Sequence, residues 1–327
     1  MRKYIILLLL AALLAGCGAA APSEEPVTQP VEVVETTQQT VPTIAIEVEA
    51  ATLVEEVPLP TGVILEPEAS GEKEDRSSVA VVDYSHADEG YVMAQYFGNT
   101  DKRLKVLLYG PNATYNYNLP QGQWVVLPLS DGDGAYKVGI YRNIRGTEYA
   151  MAMMTEFDVA LGDEFAPFIR PNQYVNYLSA PNTVEKGAEL CFGLETSLDK
   201  VAAVYDFVVQ NISYDYDKAA NIQSGYLPDL DEILRIKKGI CFDYAAMMTA
   251  MLRSQQVPCK LVVGYVGDFY HAWISIWTEE NGWIDGAIFF DGHSWKRMDP
   301  TFVSSAENRE EILQFVETGN YKVKYLY

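Results

Sequence analysis

The 327-residue sequence predicts an α+β protein, with a small β-sandwich-like domain ahead of a core of helices and strands, both behind a disordered tether. Three observations predict this. Short β-type runs with Gly/Pro turns between them fill residues 77–162. Helical spacing then takes over, in Leu198, Val201, Tyr205, Val208 and Val209, and again in Ala245, Met248, Met251 and Leu252. Alternating runs return after the last helix, as in Tyr270 to Trp277.

Taken in order, the chain opens on Met1-Arg2-Lys3 and an apolar run from Tyr4 to Leu14. That run is too short to span a bilayer as a mature helix. It ends in Leu14-Ala15-Gly16-Cys17, which resembles a bacterial lipobox. The resemblance implies a signal peptide over 1–17 and lipid (palmitate) on Cys17. The protein is then exported and anchored to the cell membrane, facing the exterior without crossing it. A plain export signal with an incidental cysteine is the alternative.

Residues 18–76 are rich in Pro, Glu, Val, Thr and Ala and contain no aromatic residue. Thirteen acidic residues there face two bases, Lys73 and Arg76, an excess of eleven in a chain of net charge −21. Such a segment lacks the apolar mass to offset chain entropy and repels itself into an extended linker.

From Ser77 the composition changes. Tyr91 to Tyr96, Leu104 to Tyr109, Trp124 to Leu127, Tyr136 to Tyr141 and Tyr149 to Met153 read as strands. Asp131-Gly132-Asp133-Gly134 has a calcium-loop flavour but lacks the further ligands such a loop needs, so it reads as a turn. The tyrosines alternating along these strands read as core and cross-strand packing, with a ligand-binding face as the other reading.

The second domain is assigned to 163–327. Its first stretch, to about residue 195, carries Pro167, Pro171 and Pro181 and reads as a connection. Thr196-Ser197 then caps a helix that Asn211-Ile212-Ser213 ends. Asp229 and Glu232 resemble a capping box that starts a short helix, Leu230 to Ile236.

That helix leads into Gly239-Ile240-Cys241-Phe242-Asp243-Tyr244-Ala245-Ala246. Cys241 falls in the first turn of the next helix, where unpaired N–H groups and the helix dipole favour a thiolate. Lys237 and Lys238 either assist it electrostatically or are solvated lysines at a helix end. Downstream, His271 lies on an alternating strand, and Trp295-Lys296-Arg297-Met298-Asp299-Pro300-Thr301 carries an acid. A cysteine, a histidine and an acid form a nucleophile–base–orienter set.

These blocks, with Val257-Pro258-Cys259 and Gly264-Tyr265 between them, resemble the transglutaminase-like superfamily over about residues 200–303. The resemblance implies a papain-like fold with Cys241 as nucleophile, His271 as base and Asp299 as the orienting acid. An extra piece, Ile284 to Ser294, separates histidine from acid and creates a rival, Asp285. His293, in Asp291-Gly292-His293-Ser294, reads as a hairpin-tip residue.

The implied reaction is thiol acyl transfer on a peptide or glutamine amide through a thioester. Water gives hydrolysis and an amine gives a cross-link. The Cys241 N–H would meet the oxyanion, with Tyr214 as a second donor. The implied partner is a protein or peptide substrate, with cell-wall peptide among the candidates. The reading from a different class is a catalytically silent surface module that binds through its β-domain. Cys191 and Cys259 either pair or stay as buried thiols. Three scattered histidines and no CxxC spacing give no metal site, no Gly-rich phosphate loop appears, and no cofactor is expected. The acidic balance excludes nucleic acid as a partner.

Overall fold

The computed structural model describes residues 61–267, 269–285, 288–290, 295–297 and 321–327. Cys17, His293 and Asp299 lie outside the described residues. Residues Glu56–Tyr327 belong to one compact unit.

The class is α+β. The N-terminal half forms two four-stranded antiparallel sheets. The first contains β1 (Glu74–Arg76), β2 (Ala80–Asp83), β3 (Tyr91–Tyr96) and β6 (Trp124–Pro128), in the order β1-β2-β3-β6. The second contains β4 (Leu104–Tyr109), β5 (Thr114–Asn118), β7 (Gly134–Arg145) and β8 (Glu148–Val159), in the order β5-β4-β7-β8. Alternation decides the faces: in β4 Leu104, Val106 and Leu108 are buried, while Lys105, Leu107 and Tyr109 look outward. Tyr115, Tyr117 and Tyr136 are fully buried, so the alternating tyrosines there are core.

The described residues include the last part of the stretch whose composition marks it as tether, residues 61–76, and that part is held in place. Glu74–Arg76 pairs with Val81–Asp83, and the Val63 N–H donates to the Ser254 carbonyl at 2.8 Å. Backbone pairing holds this acidic segment in place of apolar burial, and composition does not register backbone pairing.

The C-terminal half contains α1 (Pro181–Cys191), α2 (Ser197–Asn211), α3 (Tyr216–Asn221), α4 (Leu230–Ile236) and α5 (Cys241–Arg253). A short parallel pair, β9 (Ser213–Tyr214) and β10 (Lys238–Gly239), joins α2 to the start of α5. Strands β11 (Cys259–Val266), β12 (Phe269–Thr278) and β13 (Gly282–Asp285) follow. The hairpin β14 (Ile288–Phe290) and β15 (Trp295–Arg297) and the final strand β16 (Tyr321–Leu326) complete the set. The main sheet is antiparallel in the order β13-β12-β11-β16.

Helix α5 lies between this sheet and helices α1 and α2. Its sequence suggests one buried face, but every residue from Asp243 to Arg253 is buried. A helix covered on all sides needs apolar or hydrogen-bonded side chains on all sides. Ala245, Ala246, Met247, Met248, Ala250, Met251 and Leu252 supply the apolar ones. Arg253 is fully buried and donates to the carbonyls of Arg170 (2.7 Å), Cys259 (2.9 Å) and Tyr327 (2.6 Å).

The capped helices appear where their caps predict them. Thr196 accepts the Asp199 N–H at the head of α2, and Asp229 accepts the Glu232 N–H at the head of α4. Helix α1 occupies the stretch that reads as a connection. It has no cap of its own; Asp231, from α4, accepts the Thr183 N–H and hydroxyl, each at 2.8 Å, and the Asn182 side-chain amide at 2.7 Å. A cap supplied from 48 residues away leaves no local signal.

The two halves share one hydrophobic cluster. Tyr115 and Tyr117 of β5 meet the Tyr327 ring at 5.7 and 6.0 Å, and Tyr174 stacks against Tyr327 at 4.2 Å and Phe242 at 5.9 Å. The edge of β5 is covered: Asn118 N–H donates to the Gln173 side chain, which donates back to the Asn118 carbonyl. Among the described residues no helix is long and apolar enough to cross a membrane.

Candidate active site

Cys241 is the first residue of α5 and is half-buried. The pair β9–β10 aims it. Gly239 pairs with Tyr214 in register, which sets Tyr214 beside the thiol's turn. The corner is tight: a Cβ at Gly239 would lie 2.8 Å from Asp243 Cβ, so only glycine fits there without displacement.

Asp243 makes that corner rigid. It has no exposed surface, and its carboxylate accepts the Ile240 N–H (2.9 Å), Lys218 Nζ (2.6 Å) and the Tyr226 hydroxyl (2.6 Å). Lys218 also contacts the Tyr226 hydroxyl and lies over its ring at 4.4 Å. The ammonium neutralises a carboxylate that would otherwise oppose a thiolate two residues away. Sequence reading missed Lys218 and Tyr226, which lie 25 and 17 residues from Asp243. The legible part of the signal was Asp243 itself, an acid in the third position of a helix.

His271 is on β12, 7% exposed, opposite Gly264 of β11, with its ring stacked near Trp273. Cys241 and His271 line the same cleft, about 670 Å³ in volume. Tyr214 and Tyr270 flank the thiol in it. Burial, and then the nearby Cys241 charge, push Tyr214 up to about 12, so its hydroxyl keeps its proton and can donate. Tyr270 is raised by burial first, with Cys241 also contributing. Tyr270 was not singled out in the sequence, where an aromatic residue on a strand reads as packing.

The other two described cysteines, Cys191 and Cys259, are unpaired, buried thiols. Burial pushes both Cys191 and Cys259 up to about 11. Neither lines the cleft.

Asp285 lies on β13 opposite Ser275, which donates to it at 2.9 Å. Ser275 is four residues further along β12 than His271, roughly 14 Å at about 3.4 Å per residue. Asp285 thus sits at the far end of the strand from the imidazole, near Lys260, whose ammonium covers the Trp283 ring at 3.5 Å. Asp299, outside the described residues, follows Arg297 at the end of β15 by two positions. Lys238 pairs with Asp215 at 3.3 Å and, like Lys237, does not line the cleft. The lysine that lines the cleft is Lys105, and the one that reaches the thiol's helix is Lys218, through Asp243.

A half-buried thiol at a helix N-terminus, a buried imidazole in the same cleft and protonated phenols beside them suit nucleophilic attack on a carbonyl. Among the described residues no group of three or more His, Cys, Asp or Glu is arranged to hold a metal.

Residues 187–286 match the core domain of the transglutaminase-like superfamily. A UPF0252 protein of Methanocaldococcus jannaschii is 30% identical over 129 residues, 37% of this chain and 31% of that protein. A protein-glutamine gamma-glutamyltransferase of Pseudomonas aeruginosa is 26% identical over 104 residues, 28% of this chain and 14% of that protein. The matches span less than a third of either relative's length. Among solved structures, the periplasmic domain of TgpA from Pseudomonas aeruginosa covers 73% of this chain and 100% of its own, at 14% identity and a TM-score of 0.34.

Proposed function

We propose, for a chain whose residues 187–286 carry a transglutaminase-like core, that the protein is an exported thiol acyl transferase or hydrolase acting on peptide or glutamine amides. The observation that carries this reading is the shared cleft of Cys241, at the N-terminus of α5, and His271, on β12.

In this reading His271 takes the Cys241 proton and the thiolate attacks the amide carbonyl. The oxyanion is met by the Cys241 N–H and the Tyr214 hydroxyl, each such donor contributing about 3–4 kcal/mol in acyl-transfer enzymes. His271 then hands its proton to the leaving amine, and a thioester remains on Cys241. Water releases an acid; an amine releases a cross-linked product. Asp299 holds the imidazole tautomer. Lipid on Cys17 keeps the protein on the outer face of the cell membrane, which makes cell-wall peptides and extracellular proteins the accessible substrates.

The test is the alkylation rate of Cys241 by iodoacetamide against pH, read peptide by peptide by mass spectrometry, with and without His271→Ala. A thiolate–imidazolium pair gives fast reaction well below the reference thiol value of about 8.5, and His271→Ala removes it. A thiol that titrates at the reference value in both proteins sinks the enzyme reading in favour of a binding module.

A further inference from the structure

A second cleft, about 500 Å³, continues from the thiol cleft; the two share Lys105, Asn116 and Ser224. Both volumes lie within the range of ligand sites, roughly 300–1,000 Å³. The floor of the second is the outward face of the β5-β4-β7-β8 sheet, including Arg103, Lys105, Tyr109 and Tyr141. Tyr141 lies flat over Gly139, where a Cβ would come within 2.6 Å of its ring. Its hydroxyl meets that of Tyr109 at 2.8 Å. The missing side chain at Gly139 thus lets an aromatic plate lie on the sheet.

Charge separates this groove from the rest of the surface. The chain holds 45 acidic residues against 24 basic ones. Among the described residues, neither cleft is lined by any Asp or Glu. Three nearby bases of the β-half are paired: Lys102 with Asp101, Lys137 with Glu156 and Arg145 with Glu148; Arg142, opposite Leu104 on β7, lines neither cleft. Arg103 and Lys105 have no ion pair among the described residues; Lys105 Nζ is held only by Asn116, at 3.2 Å. Two cations without an ion pair among the described residues therefore stand in the groove, Lys105 where the clefts meet and Arg103 in the second cleft.

We propose that the joined groove binds an extended acidic peptide, with its carboxylates at Arg103 and Lys105 and its backbone across Tyr109 and Tyr141, and feeds an amide of that peptide to Cys241. Lys105 to Tyr109 covers five residues of β4, four steps of about 3.4 Å or roughly 14 Å, which five residues of extended peptide match. Among the described residues, a lysine ammonium finds no carboxylate to receive it in this groove. The register of the substrate on the thiol rests on the acyl-transfer reading; the binding preference does not.

The test therefore uses full-length Cys241→Ala protein and fluorescence anisotropy. Three peptides carry the same N-terminal dye: Ala-Gln-Ala-Glu-Glu-Ala, its Gln-Gln counterpart and its Lys-Lys counterpart. The Glu-Glu peptide is expected to bind about tenfold or more tighter than the Gln-Gln peptide, with Lys-Lys weakest. Arg103→Gln combined with Lys105→Met brings the Glu-Glu to Gln-Gln ratio to about one, whereas Lys137→Met, on the same sheet but outside the groove, preserves it. Equal binding of the three peptides, no binding of any, selectivity that survives the double change, or selectivity lost in Lys137→Met overturns the proposal. Thiol alkylation is a separate readout, so failure of the acyl-transfer reading leaves this result interpretable, and the reverse holds too.

Discussion

At the scale of the residue, three described thiols share one chain and differ by surroundings. Cys241 opens onto a cleft at a helix N-terminus, while Cys191 and Cys259 are enclosed by apolar packing that raises both to about 11. The unfolded chain titrates these two near their ordinary 9.0. Above that value the unfolded state has lost protons that the folded state still binds, so stability falls as pH rises from about 9 to about 11. Urea midpoints measured across this window are expected to drop, and to drop less in Cys191→Ala/Cys259→Ala. Equal alkaline loss in the two proteins contradicts the assignment. In the same window native alkylation is confined to Cys241 among the three, with Cys191 and Cys259 labelled only on unfolding.

At the scale of the element, the corner from β10 into α5 is where small changes do most. Gly239→Ala forces a Cβ to within 2.8 Å of Asp243 Cβ, and either the strand or the helix start must move. The expected cost is about 1–3 kcal/mol of stability, as for other overpacked sites. Reactivity of Cys241 should fall further than stability alone explains, which comparison of alkylation rate with melting temperature checks at one temperature. Helix α1 offers the complementary case. Asp231→Ala removes the carboxylate that accepts from Thr183 and Asn182 and should cost about 1–2 kcal/mol, like the loss of an ordinary N-cap. Faster amide exchange at Thr183 and Val184, with α5 unchanged, is the expected pattern. These two elements also mark how far the sequence could be read. Helices α2 and α4 were legible because Thr196 and Asp229 cap them locally, and the Cys241 turn because glycine, thiol and apolar spacing adjoin. Helix α1 was not, because its cap comes from another element. Lys218, Tyr226 and Tyr270 were not, because only the folded chain brings them to Asp243 and Cys241.

At the scale of the whole molecule, the β-half and the helical half are joined where the chemistry is. Lys105, Asn116 and Asn118 of the β-half line the thiol cleft, and the Asn118 side chain donates to the Gly225 carbonyl at 3.0 Å. Tyr115, Tyr117, Tyr174 and Tyr327 form one aromatic joint that ends at Phe242, next to the thiol. Arg253 fastens the same region, since its guanidinium donates to the main-chain oxygens of Arg170, Cys259 and Tyr327. Burial lowers its proton affinity, so the three carbonyls must carry the cost of enclosing the charge. Arg253→Met would take a donor from each of three buried main-chain oxygens, of which that of Tyr327 keeps the Leu261 N–H at 2.9 Å, and about 3–5 kcal/mol in total is the expected loss. Because Tyr327 contacts the rings of Tyr115 and Tyr117, that loss should reach the β-half. Differential scanning calorimetry should then show one transition in the parent protein, and in Arg253→Met one transition at lower temperature. Two separated transitions, with the β-half melting where it did before, would mean that the sandwich stands without the core, and that its residues reach the cleft as neighbours with no share in its stability.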